Sequence, residues 1–345
     1  MDEDAPKSNS IILIGSQSLV RAGKAIEITN KIIIDRAKTF YDAGIIKLEN
    51  KDFSGAIQDF NLAIEYDPFF ADSYFRRAEA KWPLDLKGVM EDYNNAIMYG
   101  PNNASYYHMR GNLKDINRDL LGAIQDYSKA IEIDPYLKYV SGQLTIDGEF
   151  STTYAERART KRSLQDYTGA IEDYNKAIEL LPNYSHYYSD RGDVKNSYQD
   201  YLGAILDYTK AIEINPNYSE YYLNRAEVKN SIKDHKGAIN DLDKLIGNCG
   251  IDLGHEDIVI REAYYLRGPT KSMLGDYEGA VEDYNQLLKY DLPKPYESLC
   301  NRGIAKVNLK DYAGAIDDFN KSIELKPDYK RALEELEITK NKLKT

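Results

Sequence analysis

Cys249, Asp252, His255, Glu256 and Asp257 fall within one short stretch, and a thiol, an imidazole and three carboxylates are the groups that hold a transition metal. Their spacing matches no ligand motif, so a solvated loop is the expected reading. Arg191-Gly192-Asp193 is the tripeptide that integrin-binding proteins display. It works from an exposed loop tip, where both charged side chains can splay outward. Carboxylates able to do acid–base work recur at Asp59, Asp92, Asp126, Asp173, Asp207, Asp241, Asp283 and Asp318. A catalytic carboxylate is usually singular, however, and these are copies in one sequence context. No glycine-rich phosphate loop, nucleophile elbow or paired-histidine helix accompanies them, so neither an enzyme nor a cofactor is expected.

The chain as a whole is acidic and able to fold. Its 345 residues are 42% hydrophobic and 29% charged, enough to bury a large core. A net charge of −11 and a pI near 5.1 repel phosphate backbones, which argues against nucleic acid and for protein or peptide partners. Two cysteines, Cys249 and Cys300, form no disulfide framework. The segment "MDEDAPKSNS" is acidic where a signal peptide would be basic, and "IILIG" is too short for a membrane span, so a cytoplasmic protein without membrane contact is expected.

What must position these residues is a repeat. "AIQDF" at Ala56 returns as "VMEDY" at Val89, "AIQDY" at Ala123, "AIEDY" at Ala170, "AILDY" at Ala204, "AINDL" at Ala238, "AVEDY" at Ala280 and "AIDDF" at Ala315. Most steps are close to about 34 residues, and the two long ones mark insertions at 136–150 and 247–260. In the first insertion a Ser-Gly turn between Tyr139-Val140 and Leu144 suggests a small hairpin. Within a unit, Ala170, Ile171, Tyr174, Ala177 and Ile178 form one apolar helical stripe, with Asp166 as N-cap and Pro182 beyond its end. A second helix carries Tyr188 and Gly192 one turn apart. Each unit is then a helical hairpin too small to bury its own face, and stacking supplies the core.

The pattern of Tyr188, Gly192, Ala204, Tyr208, Ala211 and Pro216 resembles the tetratricopeptide repeat, about eight copies of which cover 37–327. The resemblance implies an all-α fold, a right-handed superhelical α-solenoid of helical hairpins. Residues 1–36 would carry a degenerate half-repeat at 24–33 as a cap, and 328–345 a C-terminal capping helix with Ala332, Leu333 and Leu336 on its apolar stripe. Unit six departs most, with Leu242 and Leu245 in the aromatic and second alanine places. Trp82, beside Pro83, is expected to lie over the core as a lid.

Charges that repeat belong to this frame. Arg precedes the small residue of the first helix at Arg77, Arg110, Arg157, Arg191, Arg225, Arg267 and Arg302, and Lys follows four residues later. These cations and the repeated Asp are expected to pair in a partly buried row. Arg191 and Gly192 are then frame residues inside a helix, since Arg110-Gly111-Asn112 and Arg225-Ala226-Glu227 occupy the same places. An adhesion signal is not expected on that ground.

The resemblance also implies that the first helices line a concave groove that binds an extended or helical peptide. Groove columns that vary between units place Glu79, Asn112, Arg159, Asp193 and Glu227 after the small residue, His108, Ser189, Leu223 and Tyr265 three before it, and Glu220 and Glu262 six before it. Acids outnumber bases in these columns, so a basic or amphipathic segment is the expected partner. Family members that clamp a chaperone's C-terminal carboxylate use cationic groove residues; the column three before the small residue contains no Lys or Arg, which disfavours that role. The alternative reading is a structural subunit or oligomerising assembly factor that acts through its edge or convex face.

Overall fold

The computed structural model describes residues 8–82, 85–140, 150–248 and 256–344. The chain divides into two compact units, Met1–Leu164 and Gln165–Thr345. The first contains α1 (Ser8–Glu49), α2 (Phe53–Tyr66), α3 (Ala71–Lys81), α4 (Leu86–Tyr99), α5 (Ala104–Ile116), α6 (Leu120–Ile133), a strand pair, and α7 (Thr153–Ser163). The second contains α8 (Tyr167–Leu180), α9 (Ser185–Ser197), α10 (Tyr201–Ile214), α11 (Ser219–Ser231), α12 (His235–Asn248), α13 (Glu256–Met273), α14 (Tyr277–Leu287), α15 (Pro295–Asn308), α16 (Tyr312–Leu325) and α17 (Lys330–Lys344). The fold is all-α, built of helical hairpins, and within each unit the helices pack one on the next in chain order.

Local chemistry sets the hairpin turns. At the end of α9, Gln199 adopts the left-handed conformation at φ 66°, and Gly275 takes the same place after α13 at φ 82°. That conformation ends one helix, and the next residue caps the other: the Asp200 carboxylate accepts from the Gly203 amide at 3.0 Å. Asp166 caps α8 in the same way, through the Gly169 amide at 3.0 Å.

Packing follows the small–aromatic–small stripe. Ala204, Tyr208 and Ala211 of α10 are fully buried, as are Ala170, Tyr174 and Ala177 of α8. Gly192 is small because a Cβ there would stand 2.9 Å from the Tyr208 ring. In the divergent unit, Leu242 and Leu245 of α12 fill the same core positions at 0% exposure. Trp82 packs on the cluster around Val89 and Tyr93.

The repeated charges pair within the hairpins that each unit contains whole. Arg191 of α9 grips Asp207 of α10 through Nε and Nη2 at 2.9 and 2.6 Å, and Lys195 adds a contact at 2.8 Å. The same trio forms at Arg110, Lys114 and Asp126, and at Arg302, Lys306 and Asp318. Each arginine also reaches back to the preceding hairpin through Nη1: Arg191 to Asn175, Arg225 to Thr209, Arg110 to Asn94. For every one of these arginines but Arg302, which follows Leu299, a tyrosine three residues earlier lies beneath the guanidinium, as Tyr188 does under Arg191 at 5.6 Å. One side chain therefore closes its own hairpin and fastens it to the neighbour.

The inserted and terminal segments add detail. Lys138–Val140 (β1) pairs antiparallel with Phe150–Thr152 (β2), Val140 opposite Phe150. The return strand is tied to the helix that follows, because Thr152 is buried and its hydroxyl caps α7 at the Ala155 amide. Residues 141–149, including the Ser-Gly turn, lie outside the described residues. Residues 24–33 continue α1 without a break, and Ile32, Ile33 and Ile34 are exposed. In α17, Ala332 is buried and Leu336 packs on the terminal core, whereas Leu333 is exposed.

Candidate peptide-binding face

In the second unit α9, α11, α13 and α15, the first helices of successive hairpins, also approach one another. They bring Asp193, Glu227 and Glu262 into one neighbourhood. Asp193, two residues after the Arg191 that the frame requires, accepts from the Tyr208 hydroxyl at 2.7 Å and from Asn224 Nδ2 at 3.5 Å. Glu227 is open to solvent, yet desolvation against the neighbouring helices, then the charges of Glu262 and Asp193, hold its carboxyl above the usual carboxylate range. The charges that act on Glu227 are thus both acidic. Glu220 is exposed and accepts from Tyr218 at 3.1 Å. Tyr265 is exposed, its hydroxyl 3.5 Å from Glu297.

The first unit treats its charges differently. Glu79 pairs with Arg76 of the same helix at 2.7 Å, and Arg159 pairs with Glu156 at 3.1 Å. These i,i+3 partners stand outside the groove columns, so reading columns alone did not show the neutralisation. Only a search along each helix for an opposite charge three residues away could have found it.

Three residues of the expected groove are packed rather than presented. Leu223 joins the core with Ala226 and Leu242, and Ser189 is buried. His108 is 1% exposed, with Thr153 Oγ1 3.1 Å from Nδ1 and the Asn112 amide 3.3 Å from Nε2. Burial lowers its pKa from 6.5 to about 4. Above pH 6.5 the ring is neutral in both the folded and unfolded chains and has no effect. Between 6.5 and 4 the unfolded chain takes up a proton that the folded ring refuses, so stability falls by about 3 kcal/mol before levelling off. Denaturant titrations across this range should show a shallower decline for His108→Gln than for the wild type; equal slopes would contradict this.

The five residues first considered for metal binding, Cys249 to Asp257, lie outside the described residues or have undescribed side chains. No helix among the described residues is long and apolar enough to cross a membrane.

Tetratricopeptide repeat models match residues 104–136, 151–184, 262–293 and 296–329. No curated protein sequence matches the chain. Among solved structures, the C-terminal part of a TPR repeat-containing protein from Cytophaga hutchinsonii is similar with a TM-score of 0.53 at 16% identity, over 86% of this chain and 99% of that one. A tetratricopeptide repeat protein from Parabacteroides merdae gives 0.51 at 19% identity, over 78% and 98%. Pseudomonas aeruginosa pilF gives 0.50 at 16%, over 66% and 97%. These likenesses concern the fold. The matched segments show that this chain contains tetratricopeptide repeats.

Proposed function

We propose that the chain is a non-catalytic protein-interaction scaffold that takes a basic or amphipathic segment along α9, α11 and α13. The observation that carries this reading is Glu227, a carboxyl held above its usual range with Glu262 and Asp193 as its charged neighbours. Clustered like charges beside a partly desolvated surface are unfavourable in the free protein, and a cationic partner relieves them. Among the described residues no cation forms an ion pair with Glu227 or Glu262. A complementary positive segment would therefore gain affinity and be steered to one register.

A fluorescent lysine- and arginine-rich peptide, titrated with the full chain at low salt, tests this directly. The Glu227→Lys, Glu262→Lys double variant is expected to bind at least about tenfold more weakly, and the wild-type affinity should fall as salt rises. Undiminished binding by the double variant would exclude this face as the site.

A further inference from the structure

Between α13 and α15 the second unit has a cleft of about 260 Å³ floored by Leu287, Leu292, Pro293 and Ser298. That size is below the range of ordinary small-molecule pockets and suits a single bulky side chain. The repeat itself shows what is missing. Five residues before the small residue, α9 has Tyr187 and α11 has Tyr221, both essentially fully buried. Each packs against the tyrosine that precedes its helix, Tyr184 and Tyr218, with ring centroids 4.6 and 4.5 Å apart. In α15 the corresponding residues are Ser298 and Pro295. Two aromatic rings are replaced by a hydroxymethyl group and a proline, and the cleft opens there.

The same comparison supplies a polar partner. In the first unit Tyr106, which corresponds to Tyr187, donates its hydroxyl to Asp72 of the preceding first helix. The counterpart of Asp72 next to the cleft is Glu262, which lines it. Glu262 also stands at the end of the acidic neighbourhood that includes Glu227.

We propose that this cleft receives a tyrosine side chain from a partner polypeptide, its ring filling the space that Tyr187 and Tyr221 fill elsewhere and its hydroxyl donating to Glu262. The tyrosine is flanked by lysine or arginine on the side that runs toward Glu227. The basic flank rests on the scaffold reading above, whereas the tyrosine pocket stands on the repeat comparison alone. Buried aromatic anchors of this kind dominate the energetics of many interfaces.

The test uses three fluorescent peptides, identical and lysine-flanked, with Tyr, Phe or Ala at the centre, titrated with the full-length chain. For the wild type, Tyr is expected to exceed Ala by tenfold or more and Phe by a few-fold. Ser298→Tyr, which fills the cleft with the chain's own ring, should remove the preference over Ala. Glu262→Ala should weaken all three lysine-flanked peptides and in addition remove the preference for Tyr over Phe, leaving both above Ala, which keeps the question decidable if Ser298→Tyr folds poorly. Equal wild-type affinities for the Tyr and Ala peptides, or an undiminished Tyr preference in a folded Ser298→Tyr variant, would overturn the pocket. Glu227→Lys, outside the cleft, should weaken all three peptides in parallel; if it leaves them unchanged, the acidic face fails while the Tyr to Ala ratio still decides the cleft.

Discussion

Replacing Asp241 by alanine is expected to cost about 3–5 kcal/mol of folding free energy. Asp241 is fully buried and accepts from Arg225 Nε at 2.9 Å, from Arg225 Nη2 at 2.7 Å and from Lys229 at 2.7 Å. Without the carboxylate, two cations face each other in a low-dielectric region with no counter-charge. The cost arises from those stranded charges, which is why it exceeds any net stabilisation the intact trio provides. Lys210 and Glu213, paired at 3.0 Å on an exposed face, provide the contrast. Lys210→Ala should change stability by less than about 1 kcal/mol. Chemical denaturation of both variants would check the difference, and a similarly small loss for Asp241→Ala would show that the buried trio is not a structural fastener.

Tyr208→Ala should be of comparable severity, at about 3–5 kcal/mol, for a different reason. The ring is 1% exposed and packs in a cluster with Ala204 and Val228, against the space that Gly192 leaves open. Removing it leaves a cavity whose walls are backbone and small side chains, which have little with which to refill it. Tyr208→Phe keeps the ring and should cost only about 1 kcal/mol, the hydrogen bond to Asp193 being lost. Thermal or denaturant unfolding of the pair separates the two contributions. Equal losses would place the effect in the hydroxyl and its carboxylate rather than in packing.

These two residues also show why so much of the architecture was legible. Tyr208 and Asp241 belong to columns that recur along the chain, and the contacts that define those columns, Tyr208 on Gly192 and Asp241 on Arg225, lie within one hairpin, on its other helix. Arg191 to Asp207, or Gly192 to Tyr208, is a contact that every copy with those residues repeats. The arginine's second contact could have been read as well. Asn61, Asn94, Asn175 and Asn285 recur two residues after the repeated Asp, and all four pair with the next hairpin's Arg. That polar column was visible but had no evident purpose until the stacking of hairpins brought it to Nη1.

The expected groove was less legible, because a column position does not specify what a neighbouring helix places over it. His108 and Asp193 both sit on first helices at positions read as variable. Thr153, contributed by α7, lies against the ring of one, whereas the other remains only half-buried beside Glu227. The insertion after Ile133 likewise suggested a small hairpin, but not that its return strand would run directly into α7, where Phe150 stands opposite Val140 and buried Thr152 caps the helix.

The sequence by itself therefore determined the period, the hairpin, the caps, the small–aromatic packing and the charged trios, since each depends on residues close in the chain and copied many times. Only the tertiary structure decided which acids remain uncompensated, which groove residues are covered, and that Ser298 stands where a ring is missing. Those properties depend on the differences between adjacent units, and a difference acquires physical meaning only when the neighbouring helix is in place to fill the space, supply the charge or leave both absent.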